Sequence, residues 1–360
     1  MSNTTKAPAY LQIYNRVKNL ILQGTYPTHS KLPSKRDMAA KMGVSTITIE
    51  HAYALLCEEG YVEARERSGF FVIFRSSDGF ASSGEQQVVH RSWEHSQDTF
   101  PEFPISVLTK TMRRVINDYG NSILEKSPNA GCVELREAIQ KYLARNRSIY
   151  AQIDQIVIGS GAEYIYNLIV GLFGRDTIFA LESPSYEKIQ QVYRSSGVDC
   201  ELLPLGSDGI ESTALANSKA TVLHLSPYRS FPTGITASAS KRHEYIRWAE
   251  RNHRFLVEDD FESEFSVSRK PEETLFTLSG KDNVIYINTF TKTISPALRI
   301  GYMVLPKCLV PTFSQKLGFY SCTVPTFEQF VLAELISSGD FERHINRVRR
   351  AKRKQILSEK

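Results

Sequence analysis

The sequence predicts an α/β chain in two parts: a small helical head closed by a β-hairpin, and a larger domain on a mainly parallel sheet. Three observations predict it. Apolar residues recur every three or four positions over residues 11–56, the period of an amphipathic helix. A stretch rich in Ser, Gly and Gln follows, with little periodicity. From residue 99 onward, short apolar runs alternate with helical patterns, the rhythm of strands joined by crossover helices.

In the head, Leu11, Tyr14, Val17 and Ile21 give a first helix one apolar face, with Pro8 before it and Gly24 after it. Ser34, with Asp37 three residues on, forms a capping-box pattern for KRDMAAKM, and Gly43 closes that helix. Val44-Ser45 makes the turn, and Ser45 caps a third helix through Ala52, Leu55 and Leu56 to Gly60. Tyr61 to Ala64 and Phe70 to Phe74 read as short strands around a turn at Ser68-Gly69. Helix, turn, helix and β-wing is the order of a winged helix-turn-helix domain, here residues 1–75.

Residues 76–98 read as a linker. Beyond them IVIG, TIFALE, CELLPL, TVLHLS, RFLVEDD and VIYINTF are strand-like runs, apolar enough to be buried on both faces of a parallel sheet. VELREAIQKYLARN, AEYIYNLIVGLF, YEKIQQVYRSSG and SKRHEYIRWAERN are the helices between them. The α/β domain is expected over residues 99–345, with a basic helical tail at 346–360.

Composition excludes other classes. With 41% hydrophobic and 23% charged residues, the 360-residue chain is neither disordered nor fibrous, and its length fits two or three domains. Its start, MSNTTKAPAYLQ, lacks a basic region followed by an apolar one, which argues against a secretory signal. No apolar run reaches the roughly 18 residues of a membrane span. The five cysteines are scattered without CxxC spacing, so we expect neither a disulfide framework nor a metal site, and a reducing cytoplasm fits best. Residues 1–75 carry ten Lys and Arg against six Asp and Glu, whereas residues 76–340 are net acidic, so the head is the part expected to meet a polyanion. The tail RHINRVRRAKRK reads as a solvated helix face.

A recognition helix starting at Ser45 puts Ser45, Thr46 and Thr48 on the turn that enters a major groove. Their hydroxyls bond phosphates or base edges, and the helix N-terminus favours a phosphate. Lys35 and Arg36 suit phosphate contacts, and Gly69 at the wing tip lets the backbone approach a groove. In the second domain, Asp259 ends FLVED, Lys292 follows VIYINTF, and Arg299 lies seven residues later. Ligands of open parallel sheets sit beyond the carboxyl ends of strands. A lysine that condenses with an aldehyde and an aspartate that pairs with a pyridinium nitrogen suit pyridoxal phosphate. Arg299, Thr289 and the backbone N–H groups of Gly161, Ala162 and Glu163 would hold its phosphate.

Residues 9–74, with LPS-x-R, GVS, AY-x-L and EGY in order, resemble the GntR family of bacterial regulators. The resemblance implies that Lys35, Arg36, Ser45, Thr46, Thr48 and Gly69 bind a double-stranded DNA operator. Thr46 and Glu50 stand where that family often has arginine, which removes two guanidiniums, adds a like-charge penalty against the duplex and implies an altered or weaker operator preference. The second domain resembles the aspartate-aminotransferase-like fold of pyridoxal-phosphate enzymes through NAGCVELR, GSGAE, LESPSY, FPTG, VEDDFESEF and NTFTKTISPALRIGY. By that resemblance Tyr186 stacks on the ring, Asp259 pairs with its nitrogen, and Lys292 is the Schiff-base lysine, the cofactor being held as an internal aldimine.

The two parts together resemble the MocR subfamily, which implies a DNA-binding regulator and homodimer that senses the cofactor or its adduct with an amine or amino acid. Departures are Phe261 for a tyrosine, and Arg229-Ser230 for His-Gln before FPTG. The family normally continues for about another hundred residues into a small C-terminal domain carrying the arginine for an amino acid's carboxylate, so the expectation is a C-terminally truncated aminotransferase-like fold that has lost that anchor. Two other readings stay open at the level of sequence: a working aminotransferase with an appended DNA-binding head, and a cofactor-free dimerisation scaffold.

Overall fold

A computed structural model describes residues 8–65, 68–74, 102–261, 263–266 and 273–358, in two units, residues 1–96 and 97–360. The expected linker, 76–98, lies outside the described residues. The head holds α1 (Ala9–Leu22), α2 (Lys35–Met42), α3 (Thr46–Glu58), β1 (Val62–Arg65) and β2 (Gly69–Val72). Both predicted caps are formed: the Asp37 N–H donates to Ser34 Oγ and the Thr48 N–H to Ser45 Oγ, each at 3.2 Å. The core stripe of α1 is Ile13, Tyr14, Val17 and Ile21, with Leu11 only half-buried. Ile13, Val17 and Ile21 form one i, i+4 row, which packs with Ile49, Ala52, Tyr53 and Leu56 of α3. The Tyr53 hydroxyl donates to the Pro33 carbonyl at 3.0 Å, and its ring meets Phe70 edge-on at 4.9 Å, tying the hairpin to the helices.

The second unit holds β3 (Ile156–Gly159), β4 (Phe179–Ser183), β5 (Cys200–Gly206), β6 (Gly209–Ile210), β7 (Val222–Leu225), β8 (Phe255–Asp259), β9 (Val284–Thr289) and β10 (Gly301–Val304). Among the described residues they form one sheet in the order β3-β10-β9-β8-β7-β4-β5-β6, parallel from β9 through β5. Its helices are α4 (Ile105–Tyr119), α5 (Val133–Arg147), α6 (Ala162–Phe173), α7 (Glu187–Ser195), α8 (Ser212–Asn217), α9 (Ala239–Arg251), α10 (Leu275–Leu278), α11 (Val310–Leu317), α12 (Thr326–Ser337) and α13 (Asp340–Ser358). Successive side chains of a strand face opposite ways. In β9, Ile285 and Ile287 pack with α6 residues Ile165 and Ile169. Tyr286 packs on the other face with α5 residues Leu135 and Ile139. Helices therefore cover both faces, as a parallel sheet requires.

Two features depart from the sequence reading. β10 was not expected, and it runs antiparallel to both β9 and β3. The loop 290–300 that leads to it is shorter than the dozen or so residues a parallel crossover needs, so the chain turns straight back. β5 is not buried on both faces: Leu202 is 45% exposed, because only the two-residue β6 lies beyond it at the sheet's edge.

The end of β8 shows what alternation does to three consecutive acids. Asp259 shares a face with Val257, whereas Glu258 and Asp260 point the other way. There, Arg147 Nη2 donates to Asp260 Oδ1 at 2.6 Å, and the Tyr286 hydroxyl donates to Oδ2 at 2.5 Å. Glu258 accepts the N–H groups of Leu275 and Phe276, and Glu264 accepts from Asn288 at 2.7 Å. Burial pushes Glu258 up to about 8 and Glu264 up to about 7. Thus this cluster holds protons that exposed carboxyls would have lost.

Candidate functional site

β8 and β9 are neighbours, with Asp259 opposite Ile287, so the ends of both strands open onto one place. A cavity of about 310 Å³ lies there, within the range of small-molecule sites. Asp259, Lys292, Arg299, Thr289, Tyr186, Ala162 and Glu163 all line it, brought together from four separate stretches of sequence. The antiparallel return from β9 to β10 explains part of this: loop 290–300 carries both Lys292 and Arg299, and Thr289 is the residue before it.

Asp259 accepts a hydrogen bond from the Tyr166 hydroxyl at 2.6 Å. Burial keeps that phenol far above its ordinary pKa, so the bond always has its donor. Behind it, His224 Nε2 lies 3.6 Å from Asp259 Oδ2, while its Nδ1 shares a 2.7 Å hydrogen bond with the Tyr193 hydroxyl. The ring nitrogen facing Asp259 is buried without a hydrogen-bond partner among the described residues. Tyr166 thus orients the carboxylate, in an environment built from α6, α7 and β7.

Gly161 precedes α6 with φ at 91°, and a Cβ there would lie 3.1 Å from Arg299 Nη2. Glycine thus does two things: it takes a left-handed turn and lets the guanidinium lie over the open N-terminus of the helix. Arg299 pairs with Glu163, which also meets Lys188 Nζ at 3.3 Å. Burial raises the Glu163 carboxyl, but the Arg299 and Lys188 charges outweigh it and the net shift is downward. Two cations and a helix N-terminus around one carboxylate make an anion cup. Tyr186 stands on the cavity wall, its ring edge-on to Phe231 at 5.9 Å. Phe261 has its ring centroid 5.9 Å from Lys292 Nζ.

Sequence reasoning missed Tyr166, His224 and Glu182. Their shared signal was a polar group inside an apolar run: AEYIYNLIVGLF, TVLHLS and TIFALE. Glu182 accepts from the Ser230 hydroxyl and from the Ser226 N–H at 3.3 Å, and burial pushes it up to about 7 from an ordinary 4.5. Between those two values the folded chain binds a proton the unfolded chain has released, so this group's contribution to stability falls as pH rises from 4.5 to 7. Glu182→Gln is expected to remove from that decline a share on the order of 3 kcal/mol. Thermal unfolding followed across pH measures it, and an unaltered pH profile contradicts it.

In the head, Lys35 opens α2 and its Nζ donates to Glu50 Oε1 at 2.6 Å. Arg36, Ser45 and Thr46 are exposed at the starts of α2 and α3. Ser45 and Thr48 are 2.8 Å apart through their hydroxyls, engaged in capping α3. Gly69 is half-buried and pairs with Arg65, and Lys31, which the sequence did not single out, packs over it.

Residues 9–72 match the family of bacterial regulatory proteins of gntR type, and residues 98–359 match class I and II aminotransferases. The chain belongs to the class I and II aminotransferase family, carried behind a GntR helix-turn-helix head. Relatives that match nearly the whole chain are HTH-type transcriptional regulators of the MocR and PdxR type. It is 29% identical to the regulator YdeL of Bacillus subtilis, over 99% of this chain and 79% of that protein. It is 26% identical to the probable rhizopine catabolism regulatory protein MocR of Rhizobium meliloti, over 97% and 76%. The pyridoxine biosynthesis regulator PdxR of Corynebacterium glutamicum is 24% identical, over 94% and 75%.

Among solved structures, the kynurenine aminotransferase of Pyrococcus horikoshii superposes with a TM-score of 0.63 at 26% identity, over 70% of this chain and 65% of that one. The α-aminoadipate aminotransferase LysN of Thermus thermophilus gives 0.61 at 26%, over 70% and 66%. The chain therefore spans just under two thirds of the length of these aminotransferases. Among the described residues no helix is long and apolar enough to cross a membrane.

Proposed function

We propose that the protein is a DNA-binding transcriptional regulator whose aminotransferase-like body binds pyridoxal phosphate at Lys292 and senses the cofactor or its adduct with a small amine or amino acid. One observation carries this: an amine, a carboxylate and an anion cup face a single cavity in a chain that begins with a helix-turn-helix. When bound, the cofactor supplies an aldehyde for an amine and a ring that draws electrons from it. Each of the chain's own groups has a part. Arg299, Thr289 and the N–H groups of Gly161, Ala162 and Glu163 hold the phosphate. Asp259, oriented by Tyr166, accepts the ring N–H; Tyr186 packs on the ring; and the Lys292 ε-nitrogen makes the covalent link. Arg299, which pairs with Glu163 at the start of α6, would be the guanidinium that holds the phosphate.

In this reading residues 1–75 are the DNA-binding domain, 76–98 the linker, 99–345 the cofactor domain and 346–360 a basic tail, which α13 carries as far as Ser358. Lys35, Arg36, Thr46 and the α3 N-terminus face a duplex operator, with Ser45, Thr48 and Gly69 shaping that surface. The protein works in the cytoplasm as a homodimer, and the cofactor shifts the populations of domain arrangements that set the spacing of two heads.

The test is affinity for a duplex selected from a randomised pool, with and without pyridoxal phosphate at one salt concentration. The cofactor is expected to change wild-type affinity by about fivefold or more, the scale of ordinary allosteric coupling. Equal affinities in both conditions would refute the sensing.

A further inference from the structure

The outward face of the helix-turn-helix carries a carboxylate where the chain is to meet a polyanion. Ile49, Ala52, Tyr53 and Leu56 of α3 turn into the core of the head. The helical period then turns Thr46, Ile47, Glu50 and His51 outward, and all four are exposed. With Ser45 and Thr48 engaged in the cap, those four side chains are what the first turns of α3 present. Ile47 is 63% exposed, a large apolar group left in water with no core role. His51 packs edge-on against Tyr10 of α1 at 6.0 Å. Lys35 holds one oxygen of Glu50 at 2.6 Å and itself lies 6.0 Å from the Phe70 ring.

A bare carboxylate here would be repelled by phosphates, but the Lys35–Glu50 couple is neutral. A carboxylate has two oxygens and only accepts. The base-edge donors in the major groove are the N4 amino group of cytosine and the N6 amino group of adenine. Adenine presents N7, an acceptor, beside N6; a carboxylate's second oxygen is repelled by it, whereas an amide satisfies both.

Resting on the DNA-binding reading above, we infer that Glu50 reads a cytosine of the operator while Lys35 shields it from the backbone, with Ile47 against a neighbouring thymine methyl. Its alkyl surface gives that methyl an apolar contact. Thr46 and Glu50 are thus the source of a distinct operator preference rather than simply lost arginines.

The test is selection of bound duplexes from a randomised pool by the full chain loaded with pyridoxal phosphate, at one fixed salt concentration. Wild type is expected to enrich a half-site with one fixed cytosine. E50Q is expected to exchange that cytosine for adenine by about tenfold, the scale of one good base contact. E50A should leave that position unselected and the others unchanged. Both changes are at an exposed side chain, and circular dichroism checks that the head stays folded. If E50Q selects the same base as wild type at every position, the inference is overturned while DNA binding stands. If wild type enriches no sequence, the DNA-binding reading fails, and this inference with it.

Discussion

Arg147→Met is expected to destabilise the second unit by about 3–5 kcal/mol, the usual cost of removing one partner from a buried ion pair. Arg147 and Asp260 have side chains 8% and 0% exposed, and water cannot replace the guanidinium. Three carboxyls, Glu258, Asp260 and Glu264, share the electrostatic field of this arginine. The sign of the pH dependence follows. Burial already raises Asp260 above its ordinary value, against the opposing pull of Arg147. Without the arginine it rises further, so the folded state takes up a proton at low pH and the penalty grows as pH increases. The loss should therefore be larger at pH 8 than at pH 5.5. Asp260→Asn in the same chain should restore part of it, because the stranded charge is gone. Calorimetric unfolding of wild type, both single variants and the double variant measures the cycle. A loss below 1 kcal/mol for Arg147→Met would show that the pair is not needed to keep the cluster buried.

Most of the architecture could be read from the chain because its signals are local. The Ser34 and Ser45 caps and the left-handed Gly43 use residues within four positions of each other, and the structure forms each of them. The apolar runs at β3, β4, β7, β8 and β9 are buried throughout or nearly so. What was not legible depended on three-dimensional neighbours. β10 has the composition of a buried strand, but its direction is set by the length of loop 290–300, and β5 owes its exposure to its place near the sheet's edge. Asp259 was singled out by motif; Tyr166, which donates to it, and His224 behind it come from distant elements and looked like ordinary core. Likewise, that Glu258 and Asp260 face a buried arginine while Asp259 faces a cavity follows from strand alternation, but the identity of the arginine does not. Lys35 and Glu50 were each legible, one as a phosphate contact and one as a departure; that they touch was not.

Lys292→Ala is expected to have the largest effect on the cofactor site, an all-or-none one. Asp259, Tyr186 and the anion cup contribute non-covalent contacts, and each loss would only weaken affinity. In the proposed reading the ε-amino group of Lys292 is the covalent anchor, and alanine offers no nucleophile in its place. Pyridoxal phosphate titrated into the purified full chain is expected to give a visible absorption band distinct from that of free cofactor, and hydride reduction should fix one cofactor on the peptide containing Lys292. The Lys292→Ala chain, folded by circular dichroism, should give neither the band nor the modified peptide. An identical band in both proteins, or reduction that labels another lysine, would contradict the assignment on which the sensor depends.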